Sequence, residues 1–399
     1  MSKVFDMIRK EEERQAKNIE LIASENFVSE NILKAVGSCL TNKYAEGYPY
    51  ERHSGNKGRY YGGTQFVDEI EEYCCDLFRK LFDTGYHVNV QPHSGSQANF
   101  AAYFSVLEPG DTILAMSLNN GGHLTHGAPV SFSGKLFNVV FYNTDEHGYI
   151  DYNDIAEKIR QHKPKLVLAG ASAYPRIIDF ERIKKIIDTE SNALEIPTPY
   201  FMVDMAHIAG LVAAGEHPSP FGWADIVTTT THKTLRGPRG GLIFCRQELA
   251  KKVDSAIFPF SQGGGLQHVV AAKAICAEEA CTEEFRDYIR RVVINSRVMA
   301  DEFVKMGYNV VTGGTDNHLF LLDFSDRNFT GKLLQDALDK VNITLNKNCV
   351  PNEKRSPQQT SGVRIGTAAM TTKGYTTEDF IKVAHRIDEV IKALENRGV

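Results

Sequence analysis

Between residue 64 and about 250, short apolar runs alternate with segments of helical period. The runs are His87–Val90, Thr112–Met116, Leu136–Val140, Lys165–Ala169, Phe201–Val203, Ile226–Thr230 and Gly241–Phe244. They are too short for buried helices and rich in Val, Ile and Thr, so they read as strands. Helical patterns fall over 64–82, 94–107 and 179–190. Strands spaced by helices predict βαβ units and a mostly parallel seven-stranded sheet in an α/β fold. After about 275 the pattern changes to long helices, 283–306 and 376–395, with a few strands between. The expected division is an N-terminal helical arm over 1–40, a large domain over 41–275 and a smaller α+β domain over 276–399. Within the arm, helices are predicted over 3–18 and 29–39. The first has so few apolar positions that it must pack on something else, such as another subunit. The stretch from Tyr44–Pro49 through Tyr60–Gly63 has no period and reads as an aromatic, glycine-rich loop.

Charge adds little. There are 45 Lys+Arg against 50 Asp+Glu, a net charge of -5, which gives no reason to expect a nucleic-acid or membrane partner. The 42% hydrophobic and 24% charged fractions exclude fibrous and wholly disordered classes. Seven cysteines without a CxxC pair predict reduced thiols and a cytoplasmic protein. Met1–Gln15 has no apolar core, and no run of 18 apolar residues occurs, so neither a signal peptide nor a spanning helix is expected.

The chemistry concentrates at strand ends. The run Ala224–Val227 leads into Thr228-Thr229-Thr230-Thr231-His232-Lys233. A lysine there can form a Schiff base with a carbonyl group; an isolated lysine would read as a solvated turn residue. Asp204 ends the apolar run Phe201–Val203, where a carboxylate can hold a protonated pyridine nitrogen or simply cap a helix. Ser94-Gly95-Ser96 follows a strand and opens a helix, a place suited to phosphate and equally to plain capping. His123 lies among Gly121, Gly122 and Gly127. It could stack on a pyridine ring or be a loop histidine, and the glycines argue against a helical metal pair with His126. His207 lacks the partners of a zinc motif, so no metal is expected. Arg364 sits mid-strand between apolar neighbours and needs a carboxylate, from the protein or from a substrate. GxGxxG, P-loop and GxSxG motifs are missing from the sequence.

With these residues in place, the chain resembles serine hydroxymethyltransferases, pyridoxal-phosphate (PLP) enzymes of the aspartate aminotransferase-like fold. The resemblance runs nearly end to end. It is carried by Leu21–Asn26, Asn42–Pro49, Arg59–Gly63, Gln91–Asn99, Gly121–Gly127, Val203–Gly210, Val227–Gly241 and Gly313–His318. It implies that Lys233 carries PLP, that Asp204 pairs with the ring nitrogen, and that His123 stacks on the ring. His207 and Ser172 would meet the phenolic oxygen, with Thr230 beside them and His232 next to the reacting lysine. Ser94, Gly95 and Ser96 would hold the phosphate, joined by Gly263 and Gly264 of a neighbouring subunit. Glu46, Tyr44 and Tyr61 would reach the site across a homodimer interface, Glu46 moving protons. Arg364 and Ser24 would bind the amino-acid carboxylate. Tetrahydrofolate would lie against Leu118, Gly122, His123, Leu124, Asn346 and Ser356-Pro357-Gln358.

The chain departs from the family at Tyr50–Gly58, nine residues where two are usual. It departs again at Asn120, where histidine is common, and at Gln358, in place of an aromatic residue. Ala368 and Gly265 stand where prolines are usual. Several of these changes fall on the folate side. The alternative they raise is a folate-independent PLP aldolase or transaldolase acting on threonine-like β-hydroxy amino acids. Lys233, Asp204 and Arg364 together argue against a non-catalytic RNA-binding or regulatory relic, and the Glu46 and folate blocks argue against an aminotransferase.

Overall fold

The computed structural model describes residues 2–50 and 58–396. Its strands in chain order are β1 Ile19–Glu20, β2 His87–Asn89, β3 Thr112–Met116, β4 Asn138–Tyr142, β5 Leu166–Ala169, β6 Tyr200–Asp204, β7 Ile226–Thr230, β8 Gly241–Cys245, β9 Asn309–Val310, β10 Leu319–Asp323, β11 Ile343–Thr344, β12 Asn346–Asn348 and β13 Gly362–Gly366. Seven of them form one sheet in the order β2-β8-β7-β6-β5-β3-β4. All neighbours in it are parallel except those of β8, which runs antiparallel to β2 and β7. The expected mostly parallel, seven-stranded α/β sheet is present, one strand for each apolar run.

Most of the runs carry apolar residues on both sides of the strand because both faces of the sheet are covered. Leu114, Val167, Phe201, Val203, Val227 and Phe244 point into one core with helices Gln65–Leu81 and Gln267–Ala280. Their neighbours Ile113, Leu166, Leu168, Met202, Ile226 and Ile243 point into another, under helix Gly95–Val106. This alternation is the two-residue period of a strand. Helix Gly95–Val106 starts where the Ser94 side chain accepts the Gln97 N–H at 3.2 Å.

β4 sits two residues later than the run Leu136–Val140 suggested. Phe132–Leu136 is a helical turn capped by Ser131, and the pairing Thr112↔Asn138 sets the register. A third core lies under the smaller sheet β12-β13-β10-β9, packed by Met299, Phe303, Phe380, Ile387 and Ile391. Helix Glu283–Lys305 serves both halves, since its Phe285–Val293 side chains belong to the first core. Helix Lys3–Lys17 buries none of its residues and leaves Val4, Phe5, Met7 and Ile8 exposed. No helix among the described residues is long and apolar enough to cross a membrane. Glu51, Arg52 and His53 of the extra segment lie outside the described residues. Its first residue, Tyr50, is anchored on Asp254 Oδ2 at 2.9 Å.

Candidate active site

The C-terminal ends of the parallel strands open into one cavity of about 400 Å³, the place where an α/β sheet presents reactive groups. Ser24, Ser94, Gly95, Ser96, His123, Ser172, Asp204, His207, Thr230, His232 and Lys233 all line it. So do Glu25, Asn99, His126 and Arg239, to which the sequence assigned no role in the site.

Lys233 donates from Nζ to Thr230 Oγ1 at 3.2 Å. Burial lowers its amine to about 8, helped by the positive charges of Arg364 and Arg239 and opposed by Asp204. Asp204 ends β6 with its carboxylate fully engaged. Oδ2 accepts from Asn99 Nδ2 at 2.9 Å and from His126 Nε2 at 3.0 Å, and Oδ1 accepts the Ala206 N–H at 3.0 Å. Burial opposes its charge, yet these donors and the neighbouring histidines hold the carboxyl below the usual range.

Both ring nitrogens of His126 are engaged in hydrogen bonds. Its Nδ1 accepts the His123 N–H at 3.2 Å, which leaves Nε2–H for Asp204. His123 is pinned in turn, its Nδ1 lying 2.8 Å from Thr125 Oγ1 and accepting the Thr125 N–H at 3.2 Å. Burial and the nearby His126 lower His123 to about 4, so its ring is neutral. His232 is lowered to about 3, chiefly by burial, and its Nδ1 has no hydrogen-bond partner among the described residues.

Arg364, in the middle of β13, reaches the cavity wall. Nη1 donates to the Ser172 carbonyl at 2.6 Å and Nε to Asn346 Oδ1 at 3.0 Å. No described carboxylate pairs with it. A buried guanidinium without a counter-charge is a site prepared for a carboxylate from outside.

The remaining expected residues gather elsewhere. Tyr44 donates to Glu46 Oε1 at 2.9 Å, and its ring meets Tyr61 edge-on at 5.6 Å. A Cβ on Gly263 would stand 3.6 Å from Glu46 Oε1, and one on Gly264 would stand 2.5 Å from the Ala45 carbonyl. These five residues form one cluster, and none of them lines the cavity of their own chain. The cluster is held from behind by Arg59, which bonds the Gly47 carbonyl, Asp68 and Glu71. Leu118 and Leu124 are exposed, as are Ser356, Pro357 and Gln358. Gly122 is glycine because a Cβ would meet the Met116 carbonyl at 2.2 Å.

A family model for serine hydroxymethyltransferase matches residues 1–387 of the 399. The chain belongs to the serine hydroxymethyltransferase family. Its activity is the reversible transfer of the serine hydroxymethyl group to tetrahydrofolate, giving glycine and 5,10-methylenetetrahydrofolate, and PLP is the cofactor. Nothing favours the folate-independent aldolase.

The cavity fits PLP on its own evidence. An ionised Asp204 suits a protonated ring nitrogen. An amine near pKa 8 suits an aldehyde. Gly95 leaves room at the helix N-terminus, where a Cβ would stand 2.6 Å from Thr230 Cγ2, so phosphate can approach free N–H groups.

Proposed function

We propose that Lys233 anchors PLP in this cavity, and that two copies of the chain share each active site. The observation that carries the first part is the pairing of a low-pKa amine with an ionised, fully hydrogen-bonded Asp204 in one cavity. Bound PLP supplies an electron sink for the electrons of the serine Cα–Cβ bond. Asp204 would hold the ring nitrogen protonated. Ser94, Gly95 and Ser96 would hold the phosphate, and His123 would meet the ring. Ser172, Thr230 and His207 would bind the phenolic oxygen, with His232 next to the lysine. Arg364 and Ser24 orient the amino-acid carboxylate. Leu118, Gly122, Leu124, Asn346 and Ser356–Gln358 form the folate side. All seven cysteines are free thiols, which suits a cytoplasmic place in amino-acid biosynthesis. We read the chain in three parts, 1–40, 41–275 and 276–399, with helix Gln267–Ala280 running across the second boundary and helix Glu283–Lys305 serving both halves.

Lys233 gives a direct pH test. Only the neutral amine attacks an aldehyde. A folded-state pKa lowered to about 8 leaves the amine charged below that pH and neutral above it. Capture of PLP by the apoprotein should therefore accelerate up to about pH 8 and then level off. An unperturbed lysine would keep accelerating to about 10.4. Stopped-flow absorbance reads the profile, and continued acceleration past pH 9 would contradict the assignment.

Support for the dimer comes from the Tyr44–Glu46–Tyr61–Gly263–Gly264 cluster, which lies outside its own cavity, and from Tyr60, Phe66 and Phe260, close to it in sequence and exposed. In this reading Glu46 moves a proton at the serine hydroxyl of the partner's site. Mixing Lys233→Ala with Glu46→Gln should then restore activity. Random pairing puts half the protein in hybrids, each with one intact site, so about one quarter of wild-type activity should return. No recovery would mean that each chain completes its own site.

A further inference from the structure

His207 leans on a second imidazole behind the cavity wall. Its Nδ1 lies 3.2 Å from His318 Nε2, with ring centres 5.5 Å apart, although the residues are 111 positions apart in sequence. His318 is fully buried, and its other nitrogen, Nδ1, has no hydrogen-bond partner among the described residues. The ring is held in place by its backbone. Its carbonyl accepts the Thr367 N–H at 3.1 Å. The turn before it is fastened where Asn317 Nδ2 meets the Tyr174 carbonyl at 2.9 Å and Thr315 Oγ1 meets the Pro175 carbonyl at 3.0 Å.

Both rings are neutral. Burial pushes both well below the usual histidine range, and the positive charges of Lys233 and Arg364 push the same way, with His123 beside His207 and His217 beside His318. Between two neutral imidazoles in contact, one N–H must point at the other's lone pair. If His207 Nδ1–H were the donor, His318 would have to carry its own proton on Nδ1, a buried N–H with no acceptor. If His318 Nε2–H is the donor, the orphan Nδ1 is only a lone pair. Orphaned buried N–H groups are the rarer and costlier case.

We propose that His318 is a positioning residue that fixes His207 in its Nε2–H tautomer, so that His207 presents a hydrogen-bond donor to the cavity. His207 lines the cavity, and with Nδ1 taken, Nε2 is the nitrogen left to face it. The consequence for the cofactor rests on the reading of the cavity given above. A donor at this point suits an anionic phenolic oxygen and no other donor.

The test is long-range proton–nitrogen correlation on histidine-labelled protein, PLP-loaded and apo. The His207 signals are identified by their loss in His207→Gln. The expected pattern in both forms is a protonated, pyrrole-type Nε2 and a bare, pyridine-type Nδ1. His318→Glu can only accept when ionised and should move protonation onto His207 Nδ1. His318→Gln can donate and should keep the wild-type pattern in the loaded enzyme. A protonated Nδ1 on His207 in the wild type, or an unchanged pattern in His318→Glu with its carboxyl ionised, overturns the proposal. The wild-type measurement needs neither His318 variant to fold. Borohydride reduction followed by peptide mapping checks separately that PLP sits on Lys233, so failure of the cofactor reading is distinguishable from failure of the tautomer assignment.

Discussion

Lys233→Ala is expected to abolish turnover and to release the cofactor. Among the described residues lining the cavity the lysine is the only primary amine; it donates to Thr230 Oγ1 at 3.2 Å, and burial has already lowered its pKa to about 8. Alanine removes the group that holds PLP covalently and with it the exchange of one amine for another that lets serine enter. Loss of a covalent catalytic group costs roughly 10³–10⁶ in kcat. Borohydride-stable PLP should fall to zero and dialysis should strip the protein. The fold should survive, because the side chain lines a cavity and supports no core residue. Turnover within tenfold of wild type, measured with the protein verified as folded, would defeat the assignment.

What made Lys233 and Asp204 legible is that Asp204 closes a short apolar run and Lys233 follows one through the threonines, so the place of each at a strand end can be read locally. The same holds for Ser94, whose capping position follows from the strand before it. His126 was visible as the second half of a His-x-x-His pair but not as the group that fastens Asp204, since its partner lies 78 positions away. Asn99 was quoted within a motif and given no role, although it bridges Asp204 and Thr125. His318 ended a motif in the same way. The shift of β4 has a similar origin. The run Leu136-Phe137-Asn138-Val139-Val140 continues into Phe141-Tyr142 without a break, and only pairing with Thr112–Met116 selects the residues that become strand. Local pattern supplies element type and position. Which side chains meet is decided by strand order.

Arg364→Leu is expected to weaken serine and glycine binding far more than it changes stability. In the wild type, burial lowers the guanidinium to about 10, so it remains charged at neutral pH, with Ser172 O and Asn346 Oδ1 as its acceptors among the described residues. A substrate carboxylate would add two charge-assisted hydrogen bonds, each contributing about 1.5–3 kcal/mol. At about 1.4 kcal/mol per tenfold, their loss raises Kd by roughly 10²–10⁴. In the free protein the terms oppose each other. Two acceptors lose their donor at about 1–3 kcal/mol each, while a buried, unpaired charge worth several kcal/mol of desolvation disappears. The melting temperature should therefore move by roughly 5 °C at most. Arg364→Lys keeps the charge but not the planar fork and should fall between leucine and wild type. The deciding ligand is 2-aminoethanol, which has the amine and hydroxyl of serine but no carboxylate. Its affinity, read from the absorbance of the bound cofactor, should be alike in wild type and Arg364→Leu. If serine binding drops by less than tenfold, or if aminoethanol binding drops as much as serine binding, Arg364 does not hold the carboxylate.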